Sequence, residues 1–419
     1  MAVVVLGLTG PAPVRASDDA DARIDALTYT VEVLTETVRQ MREDRAIPAT
    51  DQELESVSGL GPAASKVYGA TPGLSLGGYG EFYFDAPTAD NSAARSADYH
   101  RFITYVGYKF NDRILMNTEL EYEHATTGTN AAGSAGSVSV EFSYLDFLLS
   151  DDVGVRAGNL LVPMGFVNRI HEPPFFRGTF RPMVEQQIIP STWRELGLGI
   201  HGEPASGVRY EAYVVNGFDA KRYGEKGVRD ARQKGNRALF EDVGGVVSLD
   251  VDVMPELSVG GSVFSGGADQ GQKFDGEDIS ARTTIAEAHA DARHRGFRGR
   301  ALVATSSIGD SRQISADVGE TVPERQLGWY VEGGYNVSSV LSVPAGQAVH
   351  VWTRYEMVDL QRKVDGAASD PALDQRSLTV GVEYLPHAQV VLKADWTFQD
   401  NEAGTTTEDP LRVGAGFVF

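Results

Sequence analysis

The sequence predicts an all-β fold: an antiparallel transmembrane β-barrel of about sixteen strands with an inward-folded constriction loop, preceded by a short N-terminal coiled-coil helix. Three observations predict it. From Leu74 to Phe419 apolar residues recur with a period of two, in segments of roughly ten residues. The connections between these segments alternate between tight turns and long polar loops. One face of each segment is apolar with aromatics near its ends, while the other carries charges that a dry core does not tolerate.

Composition narrows the alternatives. The 419 residues include 46 glycines and no cysteine, which excludes disulfide frameworks, thiolate metal sites and cysteine nucleophiles. A net charge of −21 argues against a nucleic-acid partner, which needs a basic face. No run of about eighteen apolar residues occurs, so any membrane role has to use strands.

The elements follow in order. Residues 1–16 read as a signal peptide, a short apolar run with Val14 and Ala16 at the small-residue spacing of a cleavage site. Residues 17–47 read as a helix in which Ile24, Leu27, Val31, Leu34, Val38 and Met41 recur at alternating spacings of three and four, the a/d seam of a coiled coil. So short a seam is marginal alone, and it suits chains already held side by side. Residues 48–73, rich in Ala, Gly, Pro and Ser, read as a linker, and the barrel occupies 74–419.

The first clear hairpin joins YHRFITYVGYKF to ILMNTELEYEHA through Asn111-Asp112. Phe102, Val106, Tyr108 and Phe110 fall on one face and Arg101 and Lys109 on the other; in the second strand Glu119, Glu121 and Glu123 share the polar face. Further segments begin near residues 137, 153, 195, 207, 240, 256, 282, 297, 326, 347, 375, 388 and 410. Tight turns are expected at Asp151-Asp152, Met254-Pro255 and Pro386-His387. The polar faces bring Arg298, Arg300, Arg354 and Lys393 to the interior, and because such side chains need water the interior is expected to be wet. The last strand alternates Leu411, Val413, Ala415, Phe417 and Phe419 toward lipid, similar to the C-terminal signal that the barrel-assembly machinery recognises.

One stretch breaks the pattern. HEPPFFRGTFRPMVEQQIIPSTWRE, residues 171–195, has neither period, and it is too apolar for a loop left in solvent. Phe175, Phe176, Phe180, Ile188, Ile189 and Trp193 need a surface to pack on, and four prolines stiffen the path. A loop folded against the inner wall meets both demands.

LLVPMGFVNRIHEPPFFRGTFRPMVEQQIIPSTWRELGLG, with HRFITYVGYKFNDRILMNTELEYEHA, EFSYLDFLL and YEAYVVNGF, resembles the phosphate-selective porin O and P family of Gram-negative bacteria over residues 74–419. The resemblance implies an outer-membrane channel for small hydrophilic solutes, usually a homotrimer, among lipids and lipopolysaccharide, with the N-terminal helix in the periplasm. The chain's own residues supply the rest: in the inward loop Arg169, His171, Arg177, Arg181, Arg194 and Glu185 are the constriction candidates, and strand alternation turns Arg101, Lys109, Glu119, Glu121, Arg298, Arg300, Arg354 and Lys393 to the pore wall. Arg177 and Arg181, mid-loop around Gly178 and Phe180, are expected to face the permeating ion. Whether anions such as phosphate are preferred depends on the narrowest point, because the wall acids match or exceed the bases.

Other chemistries find little support. His171-Glu172 lacks the second histidine of a metallopeptidase helix, since Phe175 stands there. GGADQGQK lacks the lysine step of a phosphate loop, and no GxSxG elbow occurs. No catalytic residue, metal or cofactor is assigned. The competing function is a structural anchor, its coiled coil tethering the membrane to the cell wall or a partner; a built constriction favours the channel.

Overall fold

The computed structural model describes residues 28–31, 56, 57, 59–88, 94–130, 133–150, 152–405 and 409–419. The chain divides into two compact units, Met1–Gln52 and Glu53–Phe419. In the first, residues 28–31 are helical and Val31 is exposed. The signal peptide and the seam residues Ile24, Leu27, Leu34, Val38 and Met41 lie outside the described residues.

The second unit is a closed antiparallel barrel of sixteen strands. In chain order they are β1 (Gly73–Pro87), β2 (Ser96–Asn111), β3 (Ile114–Glu123), β4 (Val138–Leu148), β5 (Gly154–Leu161), β6 (Arg194–Ala205), β7 (Val208–Asn216), β8 (Val243–Met254) and β9 (Leu257–Gly266). A small ribbon of β10 (Lys273–Phe274) and β11 (Glu277–Asp278) decorates the next connection. The barrel resumes with β12 (Thr283–His294), β13 (Phe297–Ile308), β14 (Arg325–Asn336), β15 (Ala348–Lys363), β16 (Asp374–His387), β17 (Val390–Asn401) and β18 (Pro410–Val418). Each strand pairs with its sequential neighbour in the barrel, and β1 against β18 closes the ring, leaving no sheet edge open.

The sequence dictates this locally. Leu198, Val247, Val331 and Val413 stay exposed on the outer face, while Leu115, Asn117, Glu119 and Glu121 of β3 turn inward and are buried. Asn111 makes the first tight turn by accepting the N–H groups of Arg113 and Ile114 at 2.8 and 3.0 Å. Between β12 and β13 the turn residues Arg295 and Gly296 both have positive φ, 47° and 80°, matching the twist of the flanking strands. The β16–β17 turn sits at Ala388 and Gln389 instead of Pro386-His387, because His387 still pairs with Val390.

The end of the expected linker is not a linker. Residues 59–69 enter the barrel from the short-turn end, with Leu60, Ala63, Ala64 and Val67 buried. Asn117 donates to the Ala64 carbonyl at 2.8 Å, and the Tyr68 hydroxyl donates to Asp146 at 2.6 Å. Gly107 permits the approach: a Cβ there would sit 2.6 Å from that of Val67. The small residues that suggest a flexible spacer are what a segment needs to lie flat against an inner wall.

Candidate pore constriction

The β5–β6 connection, residues 162–193, is the longest in the barrel, and it folds inward as its apolar content predicts. Ile188 and Ile189 are fully buried, and Trp193 stacks on Phe218 at 4.9 Å and meets Phe264 edge-on at 4.9 Å. Phe180 packs edge-on against Tyr83 at 4.9 Å. An irregular backbone inside a barrel has to find hydrogen-bond partners, and the wall supplies them. Thr179 N donates to Asp395 at 2.7 Å, Met183 N to Glu356 at 2.6 Å, and Gly178 N to Glu383 at 3.2 Å. Lys393 donates to the carbonyls of Phe176 and Gly178, Arg354 to those of Arg177 and Phe180, and Arg300 to that of Phe175.

The candidate loop residues separate into two groups. Arg169 is bound to Asp250 at 2.9 Å, Arg194 to Glu141 at 2.7 Å, and Glu185 accepts from Val167 N at 2.6 Å and from the Tyr330 hydroxyl at 2.7 Å. Burial raises the carboxyl of Glu185 above its usual range. Arg177, expected to face the permeating ion, lines a cavity of about 640 Å³ at the short-turn end and is paired there with Glu383 at 2.6 Å. His171 is buried beneath the loop, 3.2 Å from Glu119, and burial followed by the charge of Arg181 lowers it to about 4. Glu172 receives Ala63 N and Ala64 N at 3.2 and 3.0 Å, joining loop to N-terminal segment, and burial raises it to about 7.

Arg181 differs. Its Nε and Nη2 find no hydrogen-bond partner among the described residues, and burial and the charge of Arg101 both disfavour its protonated form. It borders a cavity of about 140 Å³ together with Glu81, His100, Arg101, Glu123 and Arg229. That cavity shares Phe176 with a vestibule of about 640 Å³ at the short-turn end, and Glu123 and Arg229 with one of about 570 Å³ at the long-loop end. Within it Arg101 is compensated by Glu81 at 2.9 Å. Arg181 and Arg229 remain against Glu123.

Of the wall candidates, Arg101, Glu119, Glu121, Arg354 and Lys393 are buried on the inner face. Arg298 and Arg300 share Asp291 at 2.6 and 3.0 Å, and Lys109 donates to the Tyr68 carbonyl at 3.3 Å. The expectation of a water-bathed wall is therefore met only in part, because much of the lumen is occupied by the loop and residues 59–69. Sequence reasoning missed the second long connection, residues 217–242. From it Arg229 donates to the carbonyls of Gln186 and Ser191, and Arg232 to those of Pro190 and Thr192. The basic run RDAR, Arg229 to Arg232, inside an otherwise polar loop was the signal available.

A closed sixteen-stranded barrel with a loop drawn across its lumen defines the fold of the porins, and solved structures agree. OmpF of Salmonella typhi in complex with daunomycin covers 83% of this chain and 97% of its own at 12% identity and a TM-score of 0.55. The in-vitro folded trimer form of OmpT, an outer membrane protein of Vibrio cholerae, covers 84% and 99% at 12% identity and 0.51. The anion-selective porin of Comamonas acidovorans covers 83% and 99% at 12% identity and 0.51. At this identity the likeness establishes the fold alone. No family model matches the chain. An uncharacterized protein of Aquifex aeolicus (strain VF5) is 33% identical over 375 residues, covering 86% of this chain and 83% of that protein, and the chain belongs to its family.

Proposed function

We propose that this chain is an outer-membrane porin, a water-filled channel for passive diffusion of small hydrophilic solutes and ions that prefers anions such as phosphate. The cavity at Arg181 carries the reading: it adjoins both vestibules, and its uncompensated charge is positive although the chain as a whole is acidic. Charge at the narrowest point, where few waters remain, weighs more on a permeating ion than charge at the mouth. In this reading the chain is a divergent relative of the phosphate-selective porin O and P family, supported by residues 163–193. It assembles as a homotrimer, for which the heptad seam and the trimer form of OmpT speak. The short-turn end and the coiled-coil helix face the periplasm, lipids and lipopolysaccharide surround the barrel, and Phe419 belongs to the signal read by the barrel-assembly machinery. No enzymatic chemistry is assigned.

The test is the purified full chain in a planar bilayer under a potassium chloride gradient. Discrete conductance steps with a reversal potential on the chloride side are expected. Absence of steps refutes the channel, and a reversal potential on the potassium side refutes the anion preference while leaving the channel standing.

A further inference from the structure

Beneath the constriction loop, His171 meets two carboxylates from adjacent strands, Glu119 of β3 and Glu141 of β4. Its Nε2 lies 3.2 Å from Glu119 Oε1 and 3.6 Å from Glu141 Oε2. One donor atom from each of the three residues lies within 4.8 Å of the others. All three side chains are buried, at 2%, 0% and 1% exposure. We infer that these three side chains bind a divalent first-row transition metal ion, with Zn²⁺ the natural probe, clamping the loop to the wall.

Four observations carry this. First, a tetrahedral ion with bonds of about 2.0 Å holds its ligand atoms about 3.3 Å apart, and the two imidazole–carboxylate separations already bracket that value. Second, the cluster is acid-rich and short of donors: Glu119 Oε2 and Glu141 Oε2 are buried and accept from no nitrogen or hydroxyl donor among the described residues, and a third carboxyl, Glu121, hydrogen-bonds Glu141 from the neighbouring strand. Buried carboxylate oxygens left without donors are rare and costly, and a cation resolves them. Third, Nε2 is the imidazole nitrogen turned to both carboxylates, so it is the one placed to coordinate, with the proton held on Nδ1, which faces no competing donor among the described residues. Fourth, Glu141 is oriented from outside, since its Oε1 accepts from Arg194 Nη1 and the Thr192 hydroxyl, both at 2.7 Å, leaving Oε2 for the ion.

Access exists as well, because Glu141 borders the vestibule of about 570 Å³ at the long-loop end, from which a water can fill the remaining position. The imidazole selects against Ca²⁺ and Mg²⁺, which take oxygen ligands. Arg101 and Arg181 stand nearby and weaken the site; two carboxylates are what a divalent ion needs to hold against them. The spacing of 119, 141 and 171 along the chain has no ligand signature, so only the fold assembles this set.

The experiment uses the full chain in detergent, loaded with Zn²⁺ and dialysed against metal-free buffer. About one retained Zn²⁺ per protomer is expected, with binding at least about tenfold weaker in His171→Ala and Glu119→Gln, each checked for a folded barrel by heat-modifiable mobility. His124→Ala serves as control, because Asp98, His100 and His124 form a second cluster of possible ligands near the long-loop end, and it should leave uptake unchanged. Co²⁺ in the wild type should give the visible bands of a low-coordinate nitrogen and oxygen site, a readout that needs no variant. No retained metal in the wild type, no tetrahedral Co²⁺ spectrum, uptake undiminished in a folded His171→Ala, or uptake lost in His124→Ala would each overturn the assignment. The site stands or falls independently of ion selectivity.

Discussion

Replacing Arg181 with alanine isolates the charge on which the proposed anion preference rests. Arg181 lacks an acidic partner in hydrogen-bond contact, so its removal takes away a positive charge beside the 140 Å³ cavity without freeing a bonded carboxylate. A unit charge about 4 Å from a permeating ion is worth about 1 kcal/mol in bulk-like water and about 4 kcal/mol at an effective dielectric constant near 20. With few waters left in the cavity the effect lies between these limits, so at least about 1 kcal/mol, roughly a fivefold or larger change in the anion-to-cation permeability ratio, is expected. The loss should be fully visible at about 0.01 M salt, where screening reaches about 30 Å, and should fade toward 1 M, where it reaches about 3 Å. Thermal stability should hold or rise, because burial and Arg101 both disfavour the guanidinium. Arg177→Ala is the contrast: it breaks the 2.6 Å pair and leaves Glu383 only the Gly178 N–H, which should cost about 1–3 kcal/mol, seen as a lower melting temperature and noisier current. An Arg181→Ala channel with unchanged permeability ratio and unchanged conductance in dilute salt would show that the constriction lies elsewhere.

Deleting residues 17–47 should leave a folded, conducting barrel while weakening the trimer; cross-linking that finds only monomers in the intact chain contradicts this. Phe419→Asp should lower the yield of folded barrel without changing synthesis, and normal heat-modifiable mobility in that variant would speak against an assembly role. Glu172 is raised to about 7 from a usual 4.5, so it binds more protons in the folded state than in the unfolded one; its contribution to stability is present below about pH 4.5 and is lost as pH rises through about 7. Wild-type stability should therefore fall by up to about 3 kcal/mol across that window and that of Glu172→Gln much less, with parallel melting curves the refuting result. Deleting residues 59–69 should raise single-channel conductance, since Leu60, Ala63, Ala64 and Val67 occupy lumen space; equal conductance would mean the segment lies outside the ion path.

The barrel was legible because a two-sided strand writes its pattern along the chain: Leu411, Val413, Phe417 and Phe419 can be assigned to lipid from alternation alone, and the loop could be sent inward from Ile188, Ile189 and Trp193. What the loop meets inside was not legible. Arg177 and Arg181 differ by four positions and look alike in sequence, yet Glu383, more than two hundred residues away, takes one and no acid takes the other. Residues 59–69 were misread for a similar reason. Ala, Gly and Pro describe a flexible spacer and a closely packed strut equally well, and only Gly107 and Asn117 on the facing wall decide between them.

The same physics limits what the wall can say about selectivity. Once an irregular loop enters a barrel, its carbonyls must be met there, and long cationic side chains from the wall meet them. Lys393, Arg354 and Arg300 each donate to loop carbonyls, while Arg354 also holds Glu332 and Glu356, and Arg300 holds Asp291. Arg354 is matched by its own acids, Arg300 shares Asp291 with Arg293 and Arg298, and all three side chains spend donors on the loop. Counting inward arginines and lysines against inward acids therefore measures how the loop is held more than which ion passes. The proposed selectivity therefore rests on groups left over after the loop has been fixed: among the constriction arginines, Arg194 leaves only Nε unpaired and holds Glu141, whereas Arg181 leaves two buried guanidinium nitrogens unpaired and has no ion-pair partner among the described residues.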